Sequence, residues 1–441
     1  MELLIQNGTV VTMDRDHRVL PSADVLVQDG RIAKIGRVRQ GRRARRVIDA
    51  SGCIVLPGFI HGHLHACQTL FRNRADGLEL LDWLRERIWP FEAAHDAQSL
   101  RASADLTWAE LIRGGSTAAL DMGTVRHQDA IFESARDAGF RLTSGKAMMD
   151  QGQGMPAGLR ETTEDSIAES LRLCDAWNKQ AGGRLRYAFA PRFALSCSER
   201  LLAQVAELAR AKDVRIHSHA SENATECDLV RQRTGMDNVA YFHHLGITGP
   251  HVTLAHGVWL TAEEHRLLRA TRTVLCHCPS SNLKLASGVA KIPELLAEGV
   301  HVALGADGAP CSNTLDMFVE MRLAALIHKP RVGPLGMDAW TVLELATRGG
   351  ARAMGLEDEI GSLEAGKRAD VCVLDLDRPA STPAGAELAG QIVYSGSSEC
   401  VRDVLIDGQV VMRDRALLTL DERSVLDAAS RESERIAARV G

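Results

Sequence analysis

The chain has 441 residues, of which 45% are hydrophobic and 25% are charged, and its formal net charge at pH 7 is −5. This length suits a barrel of roughly 250 to 350 residues with an accessory domain. The composition is that of an ordinary globular protein, and the charge gives no reason to expect nucleic acid or an acidic membrane as a partner. The start of the chain shows no signal-peptide pattern, and no run reaches the about 18 apolar residues of a membrane span. The ten cysteines show no paired framework, so we expect a reduced, cytoplasmic protein.

The first 57 residues alternate short β-rich runs with turn signals. Asn7-Gly8 and Asp29-Gly30 each stand between two such runs, and both dipeptides are typical of hairpin turns. An arginine-rich stretch follows between two strand-like runs, and we interpret it as a solvated loop. Its members are Arg37, Arg39, Arg42, Arg43, Arg45 and Arg46.

A similar β-rich texture returns near the C-terminus, where the run 404–411 predicts a further hairpin around Asp407-Gly408. We therefore expect residues 1–57 and 361–420 to form one small β-sandwich domain from both chain ends. The final segment, 421–441, is charged and amphipathic and predicts a surface helix.

Residues 58–360 have a different texture, in which short apolar runs alternate with helical segments. Such βα repetition implies a parallel sheet, and eight units in this length fit a (β/α)₈ TIM barrel of the α/β class. The strand candidates are 53–60, 117–122, 141–147, 186–190, 214–219, 252–256, 273–277 and 301–306.

Candidate metal ligands follow the first of these strands. His63 and His65 are two residues apart, and alternate side chains of a strand share a face, so both imidazoles can bind one metal ion. Imidazole is the commonest protein ligand for zinc and also suits iron.

Later strand candidates also end in metal ligands or proton carriers. His217 and His219 lie on one strand with Glu222 just after it, and His256 and Asp307 end two further strands. A single histidine at a strand end is more often structural, and an Asp after Gly-Ala is usually a turn residue. Because a barrel gathers the carboxyl ends of its strands, the repeated pattern favours one shared active site.

These motifs together give the chain a resemblance to a known family. The set His-x-His, His-x-x-Glu, Ala-His and Gly-Ala-Asp-Gly, with the return at 361–370, resembles the amidohydrolase superfamily in its cytosine deaminase-like branch. That branch includes guanine deaminases, deaminases of S-adenosylhomocysteine, methylthioadenosine and 5′-deoxyadenosine, and triazine hydrolases. The resemblance covers nearly the whole chain.

The resemblance implies one divalent metal ion, zinc or alternatively iron, held by His63, His65, His219 and Asp307. The strand candidate 186–190 lacks the lysine that binuclear relatives use, so a single ion is expected. It also implies a small-molecule substrate and a homo-oligomer. His61, His217 and His277 stand near the motif residues without an assigned role.

Hydrolytic deamination would use three residues of this set. The metal lowers the pKa of a bound water, and Asp307 would accept the first proton. Glu222 would protonate the ring nitrogen and later the leaving amine, and His256 would orient the water.

The candidate substrate-binding residues resemble two different groups of relatives, which act on different purines. Arg192 and Phe193 resemble the guanine deaminase signature, and Gln68 falls where those enzymes place an amide against the purine. Glu92 instead falls where adenosine-type deaminases hold ribose hydroxyls. The arginine that reads homocysteine is replaced near Lys146, so a smaller 5′-substituted adenosine fits better than S-adenosylhomocysteine.

Two further interpretations remain open. A triazine chlorohydrolase loses chloride, which leaves without a proton, so the complete His-x-x-Glu motif favours an amine leaving group. A non-enzymatic scaffold on this fold would show gaps in the ligand set, and the sequence has none. An adenosine-type nucleoside deaminase is therefore our first prediction, and a guanine-type base deaminase is the main alternative.

Overall fold

The computed structural model describes residues 2–38, 46–385 and 387–440. The strands in these ranges are, in chain order, β1 (Glu2–Val11), β2 (Val19–Gln28), β3 (Arg31–Gly36), β4 (Arg46–Asp49), β5 (Ile54–Pro57), β6 (Phe59–Leu64), β7 (Ser116–Met122), β8 (Arg141–Gly145), β9 (Ala147–Met148), β10 (Leu185–Pro191), β11 (Arg215–Ala220), β12 (Val252–His256), β13 (Val274–His277), β14 (His301–Leu304), β15 (Val371–Leu374), β16 (Val401–Ile406), β17 (Gln409–Arg413) and β18 (Ala416–Leu417).

The α-helices of the same ranges follow most of the barrel strands. They are α1 (Leu80–Trp83), α2 (Trp89–Ala93), α3 (Ala97–Arg113), α4 (Asp129–Ala138), α5 (Thr163–Trp177), α6 (Gln180–Gly183), α7 (Glu199–Lys212), α8 (Ala224–Thr234), α9 (Asn238–His244), α10 (Ala262–Thr271), α11 (Pro279–Lys284), α12 (Ile292–Ala297), α13 (Ala309–Ser312), α14 (Met317–Leu326), α15 (Lys329–Val332), α16 (Ala339–Glu344), α17 (Gly350–Ala353), α18 (Leu388–Gly390) and α19 (Glu422–Val440). A wider π-type turn, Leu84–Ile88, joins α1 to α2, and a 3₁₀ turn, Ala66–Phe71, follows β6.

Eight parallel strands form the barrel. They follow the order β6-β7-β8-β10-β11-β12-β13-β14, and the short β9 also pairs with β10. A parallel bridge between Leu64 and Asp307 brings the last strand back beside the first and closes the ring. Residues of these strands are almost all buried, as expected for parallel strands covered by helices. The predicted TIM barrel is confirmed.

Both chain ends contribute to a second sheet of nine strands. Its order is β18-β17-β16-β15-β5-β1-β2-β3, with β4 paired to β1. At the centre, β5 pairs with β1 in parallel and with β15 antiparallel, so the N-terminal and C-terminal segments are directly hydrogen-bonded. The strand-rich sheet built from both ends is therefore confirmed. The domain limits 1–57 with 361–420, 58–360 and 421–441 stay a prediction.

One predicted strand is wrong in its extent. The run 53–60 is divided at Gly58, since β5 ends at Pro57 in the second sheet and β6 begins at Phe59 in the barrel. The backbone of Gly58 passes so close to Thr117 that a Cβ atom there would overlap the threonine side chain. The two halves of this continuous apolar run therefore belong to two different sheets.

One predicted hairpin turn is also wrong. Asn7-Gly8 lies inside the continuous strand β1, where the pairing with β2 shifts register and Asn7 adopts a φ of 66°. The dipeptide lies at a bulge of the strand. A side chain at Gly8 would collide with Val55 of the adjacent strand, so glycine fits this position. The hairpins at Asp29-Gly30 and Asp407-Gly408 are confirmed.

The structure bears differently on the predictions made for the arginine-rich stretch, for membrane-spanning segments and for the cysteines. Most of the arginine-rich stretch, residues 39–45, lies outside the described residues. None of the helices in the described ranges has the length and apolar character that a membrane crossing requires. All ten cysteines are buried and free of disulfide bonds.

The C-terminal helix α19 packs against α3, the turn after β6, and α2. The hydroxyl of Ser433 donates to the carbonyl of Leu70, and the guanidinium of Arg435 binds both oxygens of Asp96, the residue that caps α3. The helix thus holds the segment 66–96, which crosses the mouth of the barrel.

Candidate metal centre and pocket

Five side chains from four strands meet at the carboxyl end of the barrel. One ligand atom from each of His63, His219, His256 and Asp307 can be chosen so that all four lie within 4.8 Å of one another. The Nε2 atom of His65 lies 3.2 Å from Nε2 of His219 and 3.5 Å from Oδ1 of Asp307. The structure thus brings together all four predicted ligands, and His256 stands beside them.

Hydrogen bonds behind the cluster fix how two imidazoles face it. Nδ1 of His65 donates to the carbonyl of Met122 over 2.9 Å, and Nδ1 of His219 donates to the carbonyl of Arg192 over 2.6 Å. A carbonyl only accepts, so the proton resides on Nδ1 and the Nε2 lone pair faces the centre. This is the arrangement that orients imidazoles toward a bound metal ion. The residues present therefore fit a divalent cation.

His63 is oriented by a second histidine instead. Its Nδ1 lies 2.9 Å from Nε2 of His217, and its Nε2 lies 3.1 Å from Oδ1 of Asp307. His217 had no role assigned from the sequence, and the structure places it behind His63, on the same strand as His219.

Asp307 is held by donors on both oxygens. Oδ1 accepts the backbone N–H of Gly308 over 2.8 Å, and Oδ2 accepts the hydroxyl of Ser281 over 2.6 Å and the thiol of Cys311 over 3.2 Å. Burial opposes ionisation here, but the hydrogen bond with His63 and the nearby imidazoles keep the pKa of Asp307 well below its ordinary value. The carboxylate is therefore ionised and fixed in direction.

Glu222 and His256 face each other across the pocket. Oε2 of Glu222 lies 3.4 Å from Nε2 of His256, whose Nδ1 donates to Oδ1 of Asn282 over 2.9 Å. The backbone N–H of Glu222 is held in turn by Oε2 of Glu226, a capping residue of α8. Burial, together with the charges of Asp307 and Glu226, raises the pKa of Glu222 well above its ordinary value. The shift favours the protonated carboxyl group.

Two atoms of this pair lack a hydrogen-bond partner within the described ranges. They are Oε1 of Glu222 and Nε2 of His256, and both side chains are buried. A buried polar atom without a partner is costly, so both are available to a bound molecule.

The backbone around the site is strained at three residues. Ser221, His256 and Asp307 have φ values of 54°, 76° and 62°, although none of them is glycine. Such conformations cost on the order of 1–3 kcal/mol each and concentrate at functional sites.

The pocket above the cluster has a lining that is part polar and part apolar. Its polar side includes Gln68 and Arg192, and Phe193 forms part of its apolar wall. The remaining apolar lining comes from the helical segment that crosses the barrel mouth, through Leu80, Trp83 and Leu84.

Glu92 was predicted to contact a ribose, and the structure places it differently from the other three substrate-binding candidates. It does not line the pocket; its carboxylate accepts Nη1 and Nη2 of Arg192 over 2.5 and 3.1 Å and Nε2 of Gln68 over 2.9 Å. Both of its oxygens are thus engaged by protein groups.

Three other residues left open by the sequence lie away from the pocket lining. The ammonium of Lys146 is buried and donates to Oε2 of Glu161 over 2.6 Å. Burial lowers the pKa of His61 to about 3, and His277 packs beside His328 with ring centroids 5.6 Å apart.

Sequence reasoning missed several supporting residues. Ser281 and Asn282 follow β13 closely, and their position at the carboxyl end of a predicted barrel strand was a usable signal. Trp83 gave no signal, because its place in the pocket depends on how α1 crosses the barrel.

The barrel, its cluster of histidines with Asp307, and the facing Glu222–His256 pair have the arrangement expected of a metal-dependent hydrolase, and comparisons with known proteins agree. Residues 54–411 match the amidohydrolase family. A 5′-deoxyadenosine deaminase of Methanosarcina mazei is 36% identical over 440 residues, covering 100% of this chain and 99% of the relative. A 5-methylthioadenosine/S-adenosylhomocysteine deaminase of Syntrophobacter fumaroxidans is 38% identical and covers 97% and 96%.

A solved structure is also similar over nearly its whole length. It is an adenosine deaminase of Xanthomonas campestris with bound zinc, with a TM-score of 0.92, 30% identity and coverage of 99% of this chain and 98% of that one. The chain therefore belongs to the amidohydrolase family.

Proposed function

We propose that this protein is a metal-dependent hydrolytic deaminase of an adenosine-type nucleoside, of the 5′-deoxyadenosine, methylthioadenosine or S-adenosylhomocysteine class, which releases ammonia. The observation that carries the proposal is the pair of unpartnered atoms, Glu222 Oε1 and His256 Nε2, that face the ligand cluster in one buried pocket. The names of the two sequence relatives support the nucleoside class.

In this proposal His63, His65, His219 and Asp307 hold one divalent cation, zinc in the first instance and iron as the alternative. Three imidazoles and one carboxylate serve either ion. A cation held there would lower the pKa of a water molecule toward about 7 and so supply hydroxide at neutral pH.

The side chains of the pocket would then handle the protons. Ionised Asp307 accepts a proton from the attacking water, while His256, whose Nε2 is an acceptor, orients that water. Protonated Glu222 donates to the ring nitrogen next to the attacked carbon, which makes that carbon more electrophilic. When the C–N bond breaks, the proton that Asp307 took from the water would reach the amine, which leaves as ammonia. The hydroxyl on the attacked carbon would give its own proton to Glu222 and become the carbonyl, and the ring nitrogen keeps its proton.

The polar wall would position the purine. Arg192 offers N–H donors and Gln68 offers a carbonyl acceptor, so together they suit a heterocycle that carries both kinds of group. Phe193 supplies an aromatic ring for stacking.

A guanine-type base deaminase remains the second candidate, because Arg192 and Phe193 match that signature and line the pocket. A triazine chlorohydrolase is less favoured. Chloride needs no proton, yet the raised pKa of Glu222 provides a proton donor at the reacting centre.

Ultraviolet spectroscopy with a panel of substrates tests the proposal. The purified protein would be assayed with adenosine, 5′-deoxyadenosine, methylthioadenosine, S-adenosylhomocysteine, guanine and a chlorotriazine, and its metal content measured. We expect ammonia release with a 5′-substituted adenosine as the best substrate. Turnover of guanine alone would favour the second candidate, and turnover of none with metal present would remove the proposal. The homo-oligomeric state and the cytoplasmic location also stay predictions.

A further inference from the structure

A buried network of three polar side chains lies directly behind the pocket wall. Gln68, Glu92 and Arg192 are 1%, 5% and 3% exposed. They lie in the turn after β6, in α2 and directly after β10. A buried charge without a partner is costly, so the carboxylate of Glu92 and the guanidinium of Arg192 each neutralise the charge of the other.

The carboxylate of Glu92 is fully used within this network. Oε2 accepts Nη1 of Arg192 over 2.5 Å, while Oε1 accepts Nη2 of Arg192 over 3.1 Å and the amide nitrogen of Gln68 over 2.9 Å. A bidentate pair of this kind fixes the plane of a guanidinium. Because a guanidinium has more N–H donors than one carboxylate accepts, Arg192 keeps donors for the pocket that it lines.

The same carboxylate determines which end of the Gln68 amide faces the pocket. A carboxylate without a proton only accepts, so the amide nitrogen must point to Glu92 and the carbonyl oxygen must point away from it. That oxygen, Gln68 Oε1, has no hydrogen-bond partner among the described residues, and it lies beside Gly308 where a Cβ atom would overlap it. Gly308 has an ordinary negative φ of −77°, so what glycine provides there is space for the Gln68 carbonyl oxygen.

We infer that Glu92 is a positioning residue: it aligns Arg192 and Gln68 as the polar wall for the heterocycle and does not itself contact a ribose diol. The substrate rests on the proposed function, whereas the position of Glu92 rests only on the hydrogen bonds of the network. The network also links the wall to the metal centre, because the carbonyl of Arg192 accepts Nδ1 of His219.

A pair of nucleosides separates the two roles of Glu92. Adenosine carries the 2′,3′-diol, and 2′,3′-dideoxyadenosine lacks it. If Glu92 acts through Arg192 and Gln68, then Glu92→Gln lowers kcat/KM for both nucleosides by the same factor. We expect about 10- to 100-fold, the loss typical when a residue that orients a metal ligand is replaced. If Glu92 instead binds the diol, the loss falls on adenosine and the dideoxy compound reacts as with the unchanged enzyme. That second result would overturn the inference.

The control variant is Glu86→Gln, an exposed glutamate in the same helical segment, which we expect to leave kcat/KM unchanged. A loss of the same size in Glu86→Gln would show that the segment tolerates no charge change and would count against a specific role for Glu92.

Thermal unfolding tests the network without any substrate. Glu92→Gln leaves a buried, uncompensated arginine and should lower the Tm, whereas adding Arg192→Met to that variant removes the charge and should recover most of the loss. Additive losses would contradict the network. If the unchanged protein deaminates neither nucleoside, the proposed function fails while this measurement still decides the geometry.

Discussion

The two sides of the pocket are constructed differently. The side that we propose binds the metal, called the metal side below, consists of His63, His65, His219 and Asp307 on or just after barrel strands. Backbone carbonyls and N–H groups hold three of these four side chains. The opposite side, with Gln68, Trp83 and Arg192, depends largely on short helical segments outside the barrel and on side-chain ion pairs.

This difference indicates which part of the reaction each side controls. Strand ends are rigid and fix the reacting geometry to a fraction of an ångström, which catalysis requires. Short helical segments over the mouth vary more easily, so they suit substrate selection. Substitutions on the metal side should therefore abolish chemistry, and those on the helical side should change substrate binding.

The largest effect is expected at the metal side. His219→Ala removes one predicted ligand, and we expect turnover to fall to background and the bound metal to drop well below one ion per chain. The exposed His243, replaced by alanine, is the matched control and should keep both. Full activity with normal metal content in His219→Ala would refute the ligand assignment.

Replacement of the proton carrier comes next. Glu222→Gln keeps the shape of the side chain but cannot give up a proton as a carboxylic acid does, so kcat should fall by about 10²- to 10⁴-fold while metal content stays normal. Steady-state kinetics and metal analysis on the same sample check this. Unchanged turnover would remove Glu222 from the mechanism.

A buried glutamate behind the metal side should make stability depend on pH. Oε2 of Glu320 accepts the N–H of Ser280, just before Ser281 and Asn282, and burial raises the pKa of Glu320 from 4.5 to about 8. The native state keeps this proton between those two values while the unfolded state releases it. Glu320 therefore lowers the free energy of unfolding by about 1.4 kcal/mol for each pH unit across that range.

Denaturant unfolding from pH 4.5 to 8 would measure this slope, since 4.5 is the ordinary pKa of Glu320 and about 8 is its buried value. In Glu320→Gln the slope should be shallower than in the unchanged protein. Equal slopes would show that Glu320 titrates normally in the folded chain.

The smallest effect is expected at the helical side. Arg435 and Arg439 of α19 both bind Asp96, but these side chains are 37–40% exposed, so each pair contributes at most about 1 kcal/mol. The double change to alanine should loosen the segment 66–96 and raise KM a few-fold with kcat nearly unchanged. Arg423→Ala, on the same helix and 83% exposed, is the control for a general effect on α19. A fall in kcat with KM constant would contradict the division between the two sides.

The roles of individual ligands and proton carriers stay predictions from the family resemblance, but the amino-acid sequence by itself determined the barrel and the end of it at which these residues gather. It could do so because these features are local: a strand period of two places His63 and His65 on one face, and parallel strands bring all their ends to one side. Hairpins at Asp29-Gly30 and Asp407-Gly408 were predictable for the same reason.

Only the tertiary structure decided the features that depend on distant neighbours. Asn7-Gly8 lies at a bulge of β1 with Val55 beside Gly8, and the run 53–60 divides at Gly58, which Thr117 approaches closely. The ion pair of Glu92 with Arg192 joins residues 100 positions apart. No local pattern records such contacts, because packing energy depends on which surfaces meet after the chain has folded.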